Sequence, residues 1–274
     1  MTITAVMVYV DAAQQAEAQV RAARSIAARF DAFLIGVSAL AEKPTFVAEG
    51  VIIEEMTADD LKKIRLDLAD KAAWFRDVVG LPKDKVEWCW NLDFPTDFLA
   101  NESRSADLVV VRNAPQQRGD RYRTLNPAEA VLRMGRPTIL VPDHVHDLRA
   151  ERILIGWKDA REARLAVRDA LPLLEKAKEV TIVEICTSTE QEAARARVRD
   201  VVKYLGRHGA KCDMDFRVHL AEPAAFPLVR MANDHDADQI VTGAYGHSRL
   251  GEWFFGGVTR SLLEEAPCCL LMSH

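Results

Sequence analysis

The feature that most constrains this chain is that it is written twice. Ala106-Asp107-Leu-Val-Val-Val recurs as Ala237-Asp238-Gln-Ile-Val-Thr, 131 residues later. Gly135-Arg-Pro137-Thr-Ile-Leu-Val recurs as Glu265-Ala-Pro267-Cys-Cys-Leu-Leu at a separation of 130. Two separate pairs at nearly one offset define a register, and that register marks an internal duplication. In the first copy, apolar runs at 6–10, 32–39, 86–90, 108–111 and 138–141 read as strands. Helical spacing covers 12–30, 57–79, 95–103 and a segment opened by Asn126-Pro127. Thr57-Ala-Asp-Asp60 is a helix cap, and Asn126 can cap a helix that begins with proline. The second copy repeats the order, with strands at 152–156, 180–186, 211–218, 239–242 and 268–272. Its helices fall at 161–174, 190–208, 222–235 and from about Gly257.

Strict alternation of strand and helix implies a parallel sheet covered on both faces, with right-handed crossovers. Continuous β-branched runs such as Leu108-Val-Val-Val suit strands buried on both sides. The expected fold class is therefore α/β, with two tandem, doubly wound, five-stranded parallel-sheet domains. The expected boundaries are 1–145 and 150–274, on either side of the polar stretch Asp143–Arg149 that follows Pro142.

Composition excludes several classes of function. With 49% apolar and 28% charged residues the chain has the balance of a globular protein. A net charge of −5 argues against a general nucleic-acid binder, and no nucleic-acid partner is expected. No apolar run reaches the roughly 20 residues that a membrane-crossing helix needs, so no membrane partner is expected either. The first ten residues lack a basic region and read as a strand, not a signal peptide, which places the protein in the cytoplasm. The five cysteines (Cys89, Cys186, Cys212, Cys268 and Cys269) form no CxxC pair, and no metal site is expected from them. Cys268-Cys269 reads as two small apolar residues in a buried strand.

The candidate site lies after the strand at 239–242. There the chain runs Gly243-Ala-Tyr-Gly246-His247-Ser-Arg249-Leu-Gly-Glu-Trp-Phe-Phe-Gly256-Gly257-Val258-Thr259 and then enters a helix. Glycines let the backbone approach an anion, and the free N–H groups at a helix start point toward it. The spacing is neither the Rossmann fingerprint nor the Walker loop. In a doubly wound sheet, ligands sit beyond the carboxyl ends of the strands at the switch point, here between the first and fourth strands of the copy.

The G-x2-G-x9-G spacing of Gly243, Gly246 and Gly256 resembles that of the universal stress proteins. So do Gly257-Val-Thr259, Ala237-Asp238, and the strand opening Arg152-Ile-Leu-Ile-Gly-Trp157-Lys158-Asp159. The whole chain resembles a tandem of two such domains, most specifically in its second half. The resemblance implies an adenine nucleotide alpha hydrolase-like fold. It further implies a non-catalytic role in stress response and a site for ATP or a related nucleotide, with Mg²⁺ accompanying it. The phosphate end would be formed by Gly243, Gly246, His247, Arg249, Gly256, Gly257, Val258 and Thr259. The nucleoside would meet Trp157, Lys158 and Asp159, and the adenine would meet the backbone at the end of the second strand, near Ile185. The implied partners are a phosphate-bearing small molecule, the other domain of the same chain, and a second copy in a homodimer.

Two residues depart from the family's pattern. Gly257 stands where a Ser or Thr is usual, which removes a hydroxyl donor worth about 1 kcal/mol. Lys158 stands where an Asp usually meets the nucleoside, and an ammonium cannot accept a hydrogen bond. The first copy is the reverse case. It has Asp11 at that position, but the segment after its fourth strand holds only Gly119, so it reads as a degenerate partner domain. Two further functions compete: a structural or interaction protein with a vestigial loop, and a slow ATP hydrolase with Asp159 as its carboxylate. His219 and His235 read as surface residues, and Asp234, Asp236 and Asp238 as a helix end and strand start. Arg118, Arg121 and Arg123 read as an exposed loop, and Trp74, Trp88 and Trp90 as core or interface.

Overall fold

The structure, a computed structural model, describes all residues except 1, 13–15, 44–45, 49–50, 55–56, 114–119, 146, 219–224 and 246–256. The first half contains β1 (Ala5–Tyr9), α1 (Glu17–Phe30), β2 (Phe33–Ala39), β3 (Phe46–Ala48), β4 (Val51–Glu54), α2 (Ala58–Val79), β5 (Val86–Asn91), α3 (Pro95–Glu102), β6 (Leu108–Arg112), α4 (Pro127–Met134) and β7 (Thr138–Val141). The second contains β8 (Arg152–Trp157), α5 (Arg161–Leu174), β9 (Glu179–Cys186), α6 (Gln191–Arg207), β10 (Cys212–Val218), α7 (Ala225–Asp234), β11 (Gln239–Gly243), α8 (Gly257–Glu265) and β12 (Cys269–Ser273).

The fold is α/β with a mostly parallel central sheet. Ten strands form it in the order β10-β9-β8-β11-β12-β7-β6-β1-β2-β5. Each half therefore has the strand order third, second, first, fourth, fifth, and every neighbour within a half is parallel. The halves meet at β7 and β12, which pair antiparallel through Leu140 and Leu270, Ile139 and Leu271, and Thr138 and Met272. Helices cover both faces. Residues of α1, α2, α5 and α6 pack into one core layer, and those of α3, α4, α7 and α8 into the other. Each layer holds residues of both halves. Ile153, Ile155 and Leu271 share a cluster with Val6, Val8 and Ile139, so the sheet has no dry seam to separate it.

The helix signals correspond to real caps. Thr57 accepts from the Asp60 N–H and Asp60 accepts from Thr57, a reciprocal box at the start of α2. Asn126 accepts from the Glu129 N–H and opens α4 with Pro127 at its first position. The repeated Ala-Asp pairs do the same work in both halves. Asp107 accepts from the Thr4 and Ala5 N–H groups at 2.8 and 3.1 Å, and Asp238 from those of Glu151 and Arg152 at 2.9 and 3.2 Å. Each carboxylate thereby ties the start of the fourth strand to the start of the first.

Some expectations are corrected. The hairpin of β3 and β4 is an addition of the first half that the pattern of alternating strand and helix does not contain. Trp90 is not core: it lies on the edge strand β5 and remains 40% exposed. Arg121 is exposed and in a turn, as expected, and its guanidinium lies 4.5 Å from the centre of Phe94 and 5.7 Å from that of Tyr122. Burial pushes the Cys268 thiol up to about 12, which suits an apolar residue and not a reactive one. Among the described residues no helix is long and apolar enough to cross a membrane.

Candidate functional site

A cavity of about 540 Å³ opens at the carboxyl ends of β8, β9 and β11. This is the crevice between the first and fourth strands of the second half, where strand order reverses. Two helices begin at it. α5 starts directly after β8, and its capping position is Ala160, whose methyl group accepts nothing. The helices α2 and α4 carry oxygen caps, but the first turn of α5 has no such acceptor. Glu162 and Ala163 of that turn line the cavity. Unclaimed N–H groups at a helix start favour an anion.

Gly243, at the end of β11, is fixed by this helix. A Cβ on it would lie 2.5 Å from the Glu162 carbonyl carbon and 2.6 Å from the Ala163 nitrogen. Backbone cannot yield to a side chain there, so only glycine lets the strand end reach the first turn of α5. The chain then turns sharply. Ala244 donates to the Ser273 carbonyl, and Tyr245 adopts a left-handed φ of 58°, uncommon for a residue with a side chain. The Tyr245 N–H donates to the Thr259 hydroxyl oxygen at 3.3 Å. That bond uses the oxygen of Thr259 and leaves its hydrogen able to donate elsewhere.

The β9 side of the cavity is charged and buried. Glu184 is 5% exposed and pairs with Arg197 of α6. The Arg197 Nε donates to Glu184 Oε1 at 3.0 Å, and a terminal guanidinium nitrogen donates to the same oxygen. Among the described residues only a long contact of 3.4 Å reaches Oε2. The hydrogen bond to Glu184 raises the Arg197 pKa above its ordinary value. At the mouth, Asp159 is bound to Arg164 and Lys158 is exposed. Glu190 is drawn below the usual carboxylate range by the Thr187 hydroxyl and N–H.

Of the residues singled out in the sequence, Trp157, Lys158, Asp159, Ile185, Gly243 and Thr259 all line this one cavity. Gly257 and Val258 form the first two positions of α8. Gly246, His247, Arg249 and Gly256 lie outside the described residues. Sequence reasoning missed the Glu184–Arg197 pair. Its one signal was a glutamate in the strand Val180–Cys186, whose other residues except Thr181 are apolar, followed by a helix that carries arginines. Among the described residues no three His, Cys, Asp or Glu side chains gather to hold a metal ion.

The half that holds this cavity is also the half that a family model matches. Residues 149–274 match the Universal stress protein family. A search of the curated proteins finds no match. Among solved structures, the chain is similar to a universal stress protein from Archaeoglobus fulgidus DSM 4304, with a TM-score of 0.69 and 12% identity over 98% of this chain and 95% of that one. It is also similar to a functionally unknown protein from Pseudomonas aeruginosa PAO1, with a TM-score of 0.59 and 16% identity over 99% of this chain and 92% of that one. Both likenesses run through the two halves and establish the α/β fold. The matched region at 149–274 contains every residue that lines the cavity.

Proposed function

We propose that this chain is a non-catalytic stress-response protein that binds an ATP-like nucleotide in its second half. The observation that carries this reading is the cavity itself. It combines apolar walls from Val183, Ile185 and Leu228 with the uncapped start of α5 and the start of α8. An apolar slot beside unclaimed N–H donors suits a molecule with a flat ring at one end and phosphate at the other. The phosphates would lie against α5, α8 and Thr259, and Gly243, Gly246, Gly256 and Gly257 would let the backbone close on them. His247 and Arg249 would add positive charge to the same loop. A Mg²⁺ ion would arrive with the phosphates, since among the described residues no gathered carboxylates offer it a site of its own.

In this reading the chain comprises a degenerate domain at 1–145 and a binding domain at 150–274. The two pair within one cytoplasmic molecule, which a second copy can join as a homodimer. Asp159 is an unsuitable catalytic base because Arg164 holds it. The lysine at 158 favours the competing view of a vestigial loop, because it gives a ribose no acceptor. Isothermal titration with ATP, ADP and AMP, with and without Mg²⁺, decides between the two. Binding with one site per chain is expected. The absence of heat at millimolar ligand would leave the vestigial-loop reading.

A further inference from the structure

The polar groups of the cavity are distributed unevenly. The N–H donors of α5, α8 and Thr259 belong to the β8–β11 side. A buried acceptor, Glu184, belongs to the β9 side. Glu184 and Trp157 are register partners on adjacent strands, so their side chains stand next to each other on one face of the sheet. Both line the cavity, and both are more than nine-tenths buried, at 5% and 8% exposure. Among the described residues the Trp157 indole N–H has no hydrogen-bond partner. Glu184 Oε1 takes two donors from Arg197, but Oε2 receives only the contact at 3.4 Å. A recessed carboxylate with unused acceptor capacity thus stands beside an orphaned donor. Such groups are costly when left unmet, and their unmet state favours a ligand that completes them.

We infer, on the premise that the cavity takes a nucleotide as proposed above, that Glu184 reads the amino group on the edge of the base and that Arg197 positions it. The strand spacing of about 4.8 Å puts the end of β9 roughly 10 Å from that of β11, far enough to separate a base edge from a phosphate. An exocyclic amine projects beyond its ring and reaches a recessed carboxylate, and a ring nitrogen beside it can take the Trp157 hydrogen. An oxo group in the amine's place turns an acceptor toward Glu184. A site built around one hydrogen bond to a charged group rejects the analogue that lacks the donor by about tenfold or more. The double donation from Arg197 fixes which oxygen remains for the ligand.

The test compares ATP with ITP, which differ by amine against oxo at one ring position, by titration on the full chain. The wild type should bind ATP at least about tenfold more tightly than ITP. Glu184→Gln, whose amide can both donate and accept, should bring the ratio close to one. The apolar pair Glu184→Leu with Arg197→Met keeps the core filled without a buried charge and should do the same. A merely structural role would weaken both nucleotides together and leave the ratio unmoved. Equal affinities in the wild type, tighter ITP, or a ratio unchanged in both variants each overturn the assignment to Glu184 while leaving the nucleotide site in place. If neither nucleotide binds the wild type, both the site and its specificity fall.

Discussion

At the scale of single residues, the two copies of one motif behave differently because their neighbours differ. Asp107 and Asp238 each accept two backbone N–H groups, but Asp107 also accepts the Thr4 hydroxyl at 2.6 Å. Position 151 is a glutamate and offers no such donor. Burial raises the Asp107 carboxyl, but the bonds from Thr4 and Ala5 outweigh it and hold the group below its usual range. Burial dominates at Asp238, where two N–H bonds do not suffice and the carboxyl is raised. The linkage signs are therefore opposite. A native pKa below the unfolded value of about 3.9 contributes stability above that value and loses it as the pH falls through the native one. Asp107→Asn should lower unfolding free energy by about 1–2 kcal/mol at neutral pH, with the gap to wild type closing below about pH 3. Denaturant titrations across acid pH would measure this. For Asp238→Asn the slope reverses, and the wild type gains on the variant as the pH falls through the raised native value. A common slope for both would show that the Thr4 hydroxyl does not separate them.

At the scale of elements, two glycines among the described residues have blocked Cβ positions and make a matched pair. A methyl on Gly36 of β2 would lie 2.6 Å from Trp88 and 2.7 Å from Phe75, both ring atoms. A methyl on Gly243 meets the backbone of α5. Gly36→Ala should cost about 2 kcal/mol through overpacking and leave nucleotide affinity alone. Gly243→Ala should cost at least as much and also weaken binding, since it displaces the first turn of α5. Thermal unfolding combined with ATP titration separates the two effects, and unchanged affinity in a folded Gly243→Ala protein would remove α5 from the site. The elements were legible because hydrophobic period and capping chemistry are local. The limits of α5 at Arg161 and Leu174, the cap at Thr57 and the start of α8 at Gly257 all follow from neighbouring residues. The hairpin of β3 and β4 was missed although two short apolar runs flank Glu49-Gly50. The Glu184–Arg197 pair was not legible because it joins a strand to a helix, and its meaning depends on the cavity beside it. The same holds for Ala160, where an absent cap becomes informative only once a crevice faces it.

At the scale of the whole molecule, the halves are joined by more than the β7–β12 pair. Arg29 near the end of α1 donates to the carbonyls of Arg149, Ala150 and Lys176. Lys176 returns a bond to the Arg29 carbonyl at 3.0 Å and places its ammonium 4.1 Å from the centre of the Phe30 ring. Arg29→Ala removes all three bonds, of which only that to Ala150 is part-buried, and should cost about 1 kcal/mol. The loss should also appear as a broader transition, because the halves become less tightly coupled; an unchanged midpoint would assign the coupling to the sheet alone. The antiparallel pairing of β7 with β12 has a consequence for the division of labour in the chain. Within each half all strands of the ten-stranded sheet run one way, so reversal at the join sends the carboxyl ends of the two halves to opposite rims of the sheet. The rim that holds the cavity of the second half contains only strand starts of the first half. The crevice of the first half lies at the far rim, where Arg112 is locked to Asp143. Neither mouth can lend a side chain to the other, so the first can lose its glycines without disturbing the second. One polypeptide thus carries two mouths that share a core and open on opposite rims of one sheet.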